Sequence, residues 1–174
     1  MCGNIVLCGF MGCGKTTVGQ VLAQKSGRSF LDLDQYIEQQ QGKTVSQIFA
    51  DDGEATFRRL ENEAARELSR KDNLVIATGG GTVLKEENAA LLRETGVIVL
   101  LNASLETLER RLDGVSNRPL LQRDDRQEFL RDLYARRIPL YRAAAQLCVE
   151  ADGDPETVSE HILQKTELFF SKNS

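Results

Sequence analysis

Gly9-Phe10-Met11-Gly12-Cys13-Gly14-Lys15-Thr16-Thr17 fits the spacing G-x-x-x-x-G-K-[ST]. The apolar run 4–8 leads directly into it, so a buried strand should feed a glycine-rich turn that opens a helix. Such a turn aims several backbone N–H groups, here those of Gly12, Cys13, Gly14, Lys15, Thr16 and Thr17, into one concavity at the positive end of the helix dipole. The chemistry that fits is phosphate binding. Lys15 reaches the β and γ phosphates as a point charge, and the Thr16 hydroxyl is placed to ligate the Mg²⁺ that bridges them. An ordinary glycine-rich turn would need neither the strand before it nor the helical apolar spacing of Val18, Val21 and Leu22 after it.

A second set of residues carries complementary chemistry. Asp32 and Asp34 lie two apart at the end of an apolar run, so on an extended backbone both carboxylates face one side. In phosphoryl transfer one acid commonly holds Mg²⁺ and another orients or deprotonates the attacking hydroxyl; the competing reading is that Asp34 caps the helix that follows. Gly79, Gly80 and Gly81 follow another apolar run, and three successive glycines imply close approach or positive φ rather than a generic turn. Arg58 opens a long helical pattern beside Phe57, either free to bind an anion or paired locally with Glu61. Arg137 falls among Leu130, Leu133, Tyr134 and Tyr141 at helical spacing, which directs a guanidinium toward the interior and requires a partner, a bidentate carboxylate being the natural one. Pro139 should kink or end that helix near Arg137.

The elements that must position these groups follow from pattern. Apolar runs over 4–8, 30–33, 74–77, 97–101 and 147–149 do not alternate cleanly, as expected of strands covered on both faces. Helical patterns over 15–26, 35–41, 45–50, 54–69, 86–94, 105–112, 126–144 and 155–168 separate them. The expected fold is a three-layer α/β/α domain with a five-stranded parallel sheet and right-handed crossovers, ligands sitting beyond the carboxyl ends of the strands. Two interruptions stand out in this single domain: a helical insertion over about 34–69, long enough to cover a substrate, and a charged, turn-rich segment over about 113–125 that suits a lid. The end of the chain, 171–174, is polar and expected to fray.

Composition narrows the partners. With 174 residues and 41% hydrophobic content the chain can bury one substantial core. A net charge of −4 argues against a broad nucleic-acid or anionic-membrane footprint. Four scattered cysteines and one His offer no metal-ligand set. No apolar run approaches the roughly 20 residues of a membrane span, and no charged segment precedes an apolar stretch at the start. A soluble, cytoplasmic monomer acting on small molecules is expected.

Taken together, GFMGCGKTT, FLDLDQYIE, the Phe57-Arg58 pair, ATGGGT, NRPLL and ARRIPLY, in this order and spacing, resemble the shikimate kinase family over nearly the whole chain. The resemblance implies a kinase with a nucleoside-monophosphate-kinase-like fold that uses ATP and Mg²⁺ to phosphorylate shikimate. It further implies that Lys15 and the loop amides hold the ATP phosphates, that Thr16 ligates Mg²⁺, and that Asp32 reaches the metal through water. Asp34 would hold the ring hydroxyls and act as base or orienting group, while Arg58 and Arg137 grip the carboxylate with help from Gly80 and Gly81. Arg118 would act on the transferring phosphoryl group, Arg111 and the loop around Pro155 would flank adenine, and Phe49 and Phe57 would form the apolar wall. Another small-molecule kinase, such as one acting on gluconate, is the nearest alternative, followed by a non-catalytic ATP-binding module. A guanine-nucleotide switch would need N-K-x-D, and the chain has no Asn-Lys dipeptide.

Overall fold

The computed structural model describes residues 3–113 and 125–173. Strands β1 (Asn4–Cys8), β2 (Ser29–Asp32), β3 (Leu74–Ala77), β4 (Gly96–Asn102) and β5 (Leu147–Glu150) form one parallel sheet in the order β2-β3-β1-β4-β5. The intervening helices are α1 (Lys15–Ser26), α2 (Leu33–Gln41), α3 (Val45–Leu68), α4 (Glu86–Thr95), α5 (Leu105–Leu112), α6 (Arg126–Ala144) and α7 (Pro155–Lys172). They cover both sides of the sheet, as expected. All five residues of β1 are buried, and so are the first six of β4. Their continuous apolar runs are the signature of central strands with no solvent face. Ile5, Leu7, Ile98 and Leu100 are all 0% exposed, and at about 2 kcal/mol for each such side chain the middle of the sheet is the mechanical base of the molecule.

Strand register places the functional turns. Leu7 lies beside both Ala77 and Val99, and Asp32 beside Ala77, so the chain leaves β1, β2 and β3 at one level of the carboxyl edge. Helix starts are fixed locally. Asp32, Thr44, Ser104 and Asp154 close the first turns of α2, α3, α5 and α7 with side-chain acceptors, Thr44 in a full capping box with Gln47. α1 is different: it begins after Gly14 at φ 97°, with no side-chain cap and no acid in its first turn.

The patterns at 45–50 and 54–69 are borne out as two helical stretches of α3 that meet at a kink at Gly53, whose φ of 85° is open to glycine. Three expectations require correction. β2 ends at Asp32 and α2 begins at Leu33, so Asp32 and Asp34 do not share an extended backbone. Pro139 does not end α6, which runs on to Ala144; the proline lies on an exposed face, where water can satisfy the carbonyl it leaves without a donor. α7 continues through Lys172 instead of fraying from 171, because Phe169 and Phe170 pack against the core.

Candidate active site

Two cavities open at the carboxyl edge of the sheet. One, of about 420 Å³, runs along Gly12 to Val18 and is closed by Arg111, Ala151, Gly153 and Pro155. The other, of about 250 Å³, is bounded by Asp32, Asp34, Phe57, Arg58, Glu61, the turn Thr78 to Gly81 and Arg137. Lys15 and Thr16 line both.

The first cavity is built of main chain. Positive φ at Gly9, Gly12 and Gly14 turns the loop so that its amides converge at the start of α1. Lys15 Nζ donates to the carbonyls of Gly9 at 2.8 Å and Phe10 at 3.2 Å, which pins its stem to the loop. Arg111 reaches from α5 to donate to Cys13 O at 3.3 Å, Ala151 O at 2.9 Å and Gly153 O at 3.3 Å. It thereby ties the loop to the turn before α7, where Pro155 is the first residue.

The second cavity is built of side chains. Asp32, not Asp34, caps α2: Asp32 Oδ1 accepts from the N–H groups of Asp34 (3.0 Å) and Gln35 (3.2 Å). Its other oxygen accepts from the Thr16 hydroxyl at 3.0 Å. Asp34 is thus released from capping, and its Oδ1 is buried with no hydrogen-bond partner among the described residues. Burial first, then the charges of Asp32 and Glu61, push the Asp34 carboxyl up from 3.8 to about 6, against the opposing pull of Lys15. A carboxylate so placed is poised near neutral pH to accept a proton.

The three glycines serve close approach, since none of them has positive φ. A Cβ at Gly79 would come within 2.6 Å of Asp34 Oδ1, and one at Gly81 within 2.5 Å of Arg58 Nη1. Of its two expected readings, Arg58 shows the local pairing. It pairs with Glu61 at 2.6 Å and Glu54 at 3.2 Å, and it also lines the cavity. Arg137 lines the cavity too; among the described residues it pairs with no acid, and its charge acts on the neighbouring Tyr141 phenol. Phe57 is a wall residue, whereas Phe49 stacks behind it at 4.8 Å between ring centroids and is 37% exposed. Arg118, with residues 114–124 of the expected lid, lies outside the described residues.

Two residues escaped the sequence reading. Glu61 appeared only as a helix-surface partner of Arg58, yet it is 1% exposed and also accepts from Thr82 Oγ1 at 2.7 Å. Tyr141 appeared only as part of an apolar stripe. The hydroxyl of a tyrosine at such a position is the one available signal, because a buried phenol needs a partner.

The residues present fit Mg²⁺. Thr16 Oγ1 and Asp32 Oδ2 are hard oxygen donors 3.0 Å apart at the junction of the cavities, and no cluster of three or more His, Cys, Asp or Glu residues among the described residues forms a rival metal site. Mg²⁺ characteristically takes one or two protein oxygens and completes its octahedron with phosphate and water.

Comparison with known proteins agrees with this geometry. Residues 11–167 match the family model described as shikimate kinase. A shikimate kinase of Thermodesulfovibrio yellowstonii is 44% identical over 94% of this chain and 95% of its own length. The solved structure of a shikimate kinase from Acinetobacter baumannii in complex with shikimate superposes with a TM-score of 0.88 at 40% identity, covering 98% of this chain and 94% of the other. A gluconokinase from Sinorhizobium meliloti, at 17% identity and a TM-score of 0.57 over 99% of this chain and 98% of the other, shares the fold alone. Sequence similarity spanning both cavities and the strands that carry them leads to one conclusion: the chain belongs to the shikimate kinase family.

Proposed function

We propose that this chain transfers the γ-phosphoryl group of ATP to a hydroxyl of shikimate, giving ADP and shikimate 3-phosphate on the route to chorismate and the aromatic amino acids. The observation that carries the reading is the shared Lys15–Thr16 wall between the two cavities, which lets an acceptor oxygen and the terminal phosphorus meet at one place. In this reading the amides of Gly12, Cys13, Gly14, Thr16 and Thr17 hold the phosphates with Lys15, and Arg111 and Pro155 flank the adenine. Arg58 and Arg137, with the Gly80 and Gly81 backbone, hold the acceptor's carboxylate.

The chemistry then needs alignment and positive charge more than a strong base, because phosphoryl transfer passes through a loose anionic transition state. Asp34 hydrogen-bonds the attacking hydroxyl and takes its proton as the new O–P bond forms and the bond to the β-phosphate bridging oxygen breaks. Thr16 and Asp32 would hold Mg²⁺, Asp32 through water. When bound, the ion neutralises charge on the β and γ phosphates. Arg118, assigned by resemblance alone, would add charge at the transferring group. A 34–69 substrate-binding insertion and a 113–125 lid complete the proposed organisation.

The reading takes the chain to act as a monomer; no helix among the described residues is long and apolar enough to cross a membrane. A cytoplasmic enzyme acting on small molecules fits these features. The decisive experiment is coupled ADP release with shikimate, gluconate, AMP and no acceptor in parallel. Turnover should depend on shikimate, and Asp34→Asn should lower kcat by roughly 10²–10⁴-fold with ATP binding retained. Strong activity with gluconate alone, or wild-type turnover in the variant, overturns the assignment.

A further inference from the structure

Two of the groups proposed to meet the acceptor's carboxylate belong to elements far apart in sequence: the glycine turn after β3, and Arg137 of α6. Tyr141 stands between them. It lies one turn of α6 beyond Arg137, is 0% exposed and is among the largest fully buried side chains. Its hydroxyl donates to the carbonyl oxygen of Gly80, and the Arg137 guanidinium lies close enough for its charge to act on the phenol, so the oxygen spends its proton on one wall and keeps its lone pairs for the cation beside it. A Cβ at Gly80 would lie 3.5 Å from Arg137 Nη1 and 3.7 Å from the Tyr141 oxygen, which makes all three groups mutual neighbours. Burial, outweighing the opposing Arg137 charge, pushes the phenol up to about 12, so it remains a donor throughout the physiological range.

We propose that Tyr141 is a positioning residue for acceptor binding: its hydroxyl locks the Arg137 fork and the Gly80–Gly81 main chain into one frame, set for a carboxylate before the acceptor arrives. The inference rests on the acceptor-site reading above. Arginine has several rotamers to lose, and no carboxylate among the described residues restrains this one. A fixed oxygen acceptor removes part of that ordering cost from the binding step. The Gly80 carbonyl, held by the same hydroxyl, orients the peptide plane that follows it and with it the Gly81 N–H. A tyrosine kept only for its ring would be replaceable by phenylalanine with no consequence for either substrate.

Steady-state kinetics of the full-length chain with Tyr141→Phe test this, since phenylalanine keeps the ring packing. KM for shikimate should rise about tenfold, as for loss of a hydrogen bond to a charged group. The KM for ATP should be unchanged and kcat should stay within about twofold, because no reacting atom is touched. In an Arg137→Ala background the same change should add about twofold or less, since the two residues act as a unit. A lower Tm with both KM values unchanged would reduce Tyr141 to a core residue, and so would fully additive losses in the double variant. No shikimate turnover by the unmutated chain would instead strike the functional assignment; the strut fails only where the unmutated chain is active and the variant's acceptor KM stays put.

Discussion

The nucleotide cradle and the acceptor cavity share a wall and are made of different materials. The cradle is main chain: most of its lining falls within Gly12 to Val18, and its shape follows from glycine φ angles and the uncapped start of α1. The acceptor cavity is side chains, spread from Met11 to Arg137 and carried by α2, α3, α6 and two strand ends. A main-chain site is rigid because its peptide planes are. A side-chain site must be held from behind, and here the hold is visible: Glu61 binds Arg58 and Thr82, Asn88 donates to Thr82 O at 3.1 Å and accepts from Asn62 at 2.8 Å, and Tyr141, beside Arg137, donates to Gly80 O.

Breaking the shared wall should give the largest effect. Lys15→Ala removes charge at the point where both halves meet, so kcat/KM for ATP and for shikimate should fall together by roughly 10²–10³-fold or more in initial-rate measurements. Arg137→Ala should separate the halves, raising KM for shikimate by about 10–100-fold and leaving the KM for ATP in place. Loss limited to the nucleotide side would contradict the division.

The acceptor half should also set the pH profile. Because the Asp34 carboxyl is pushed up to about 6, its proton-accepting form disappears as pH drops through that value, and kcat/KM for shikimate should fall about tenfold per pH unit below it. Nucleotide affinity measured by titration should lack that limb. The smallest effect is on stability and runs the other way. A raised native pKa means that the folded state holds a proton the unfolded chain releases from pH 3.8 upward, so this carboxyl's contribution worsens as pH rises and is fully unfavourable above about 6. The displacement is worth on the order of 3 kcal/mol at most. Asp34→Asn should therefore raise Tm by several degrees at pH 7.5 and show little difference at pH 4, the pattern of a site that trades stability for function.

Legibility in the sequence follows the same division. β1, β3 and β4 were readable because central parallel strands are apolar on both faces; β2 and β5, at the edges and partly exposed, were readable only as short apolar runs, and α6 was readable to its ends. The cradle was readable because its parts are contiguous. The junction of β2 and α2 was not, because either aspartate could cap and only the Thr16 contact makes Asp32 the one that does. Arg137 was legible as an inward cation but the role of its neighbour Tyr141 was not, since that phenol reads as one more apolar residue of the stripe. Glu61 stayed hidden for a similar reason: an i,i+3 pair with Arg58 is what a solvated helix also shows, and its burial depends on Thr82, which comes from another element.

The strand order β2-β3-β1-β4-β5 has a consequence for how such an enzyme can be remodelled. Loops emerging on the β2–β3 flank line the cavity proposed for the acceptor, whereas Ala151 and Gly153, beyond β5 on the opposite flank, line the cavity proposed for ATP. On that reading, selectivity can be rewritten by transplanting the contiguous block from β2 through the glycine turn, with α6 co-adapted because it carries Arg137. A chimaera that exchanges the block without that helix would keep its fuel and lose its grip.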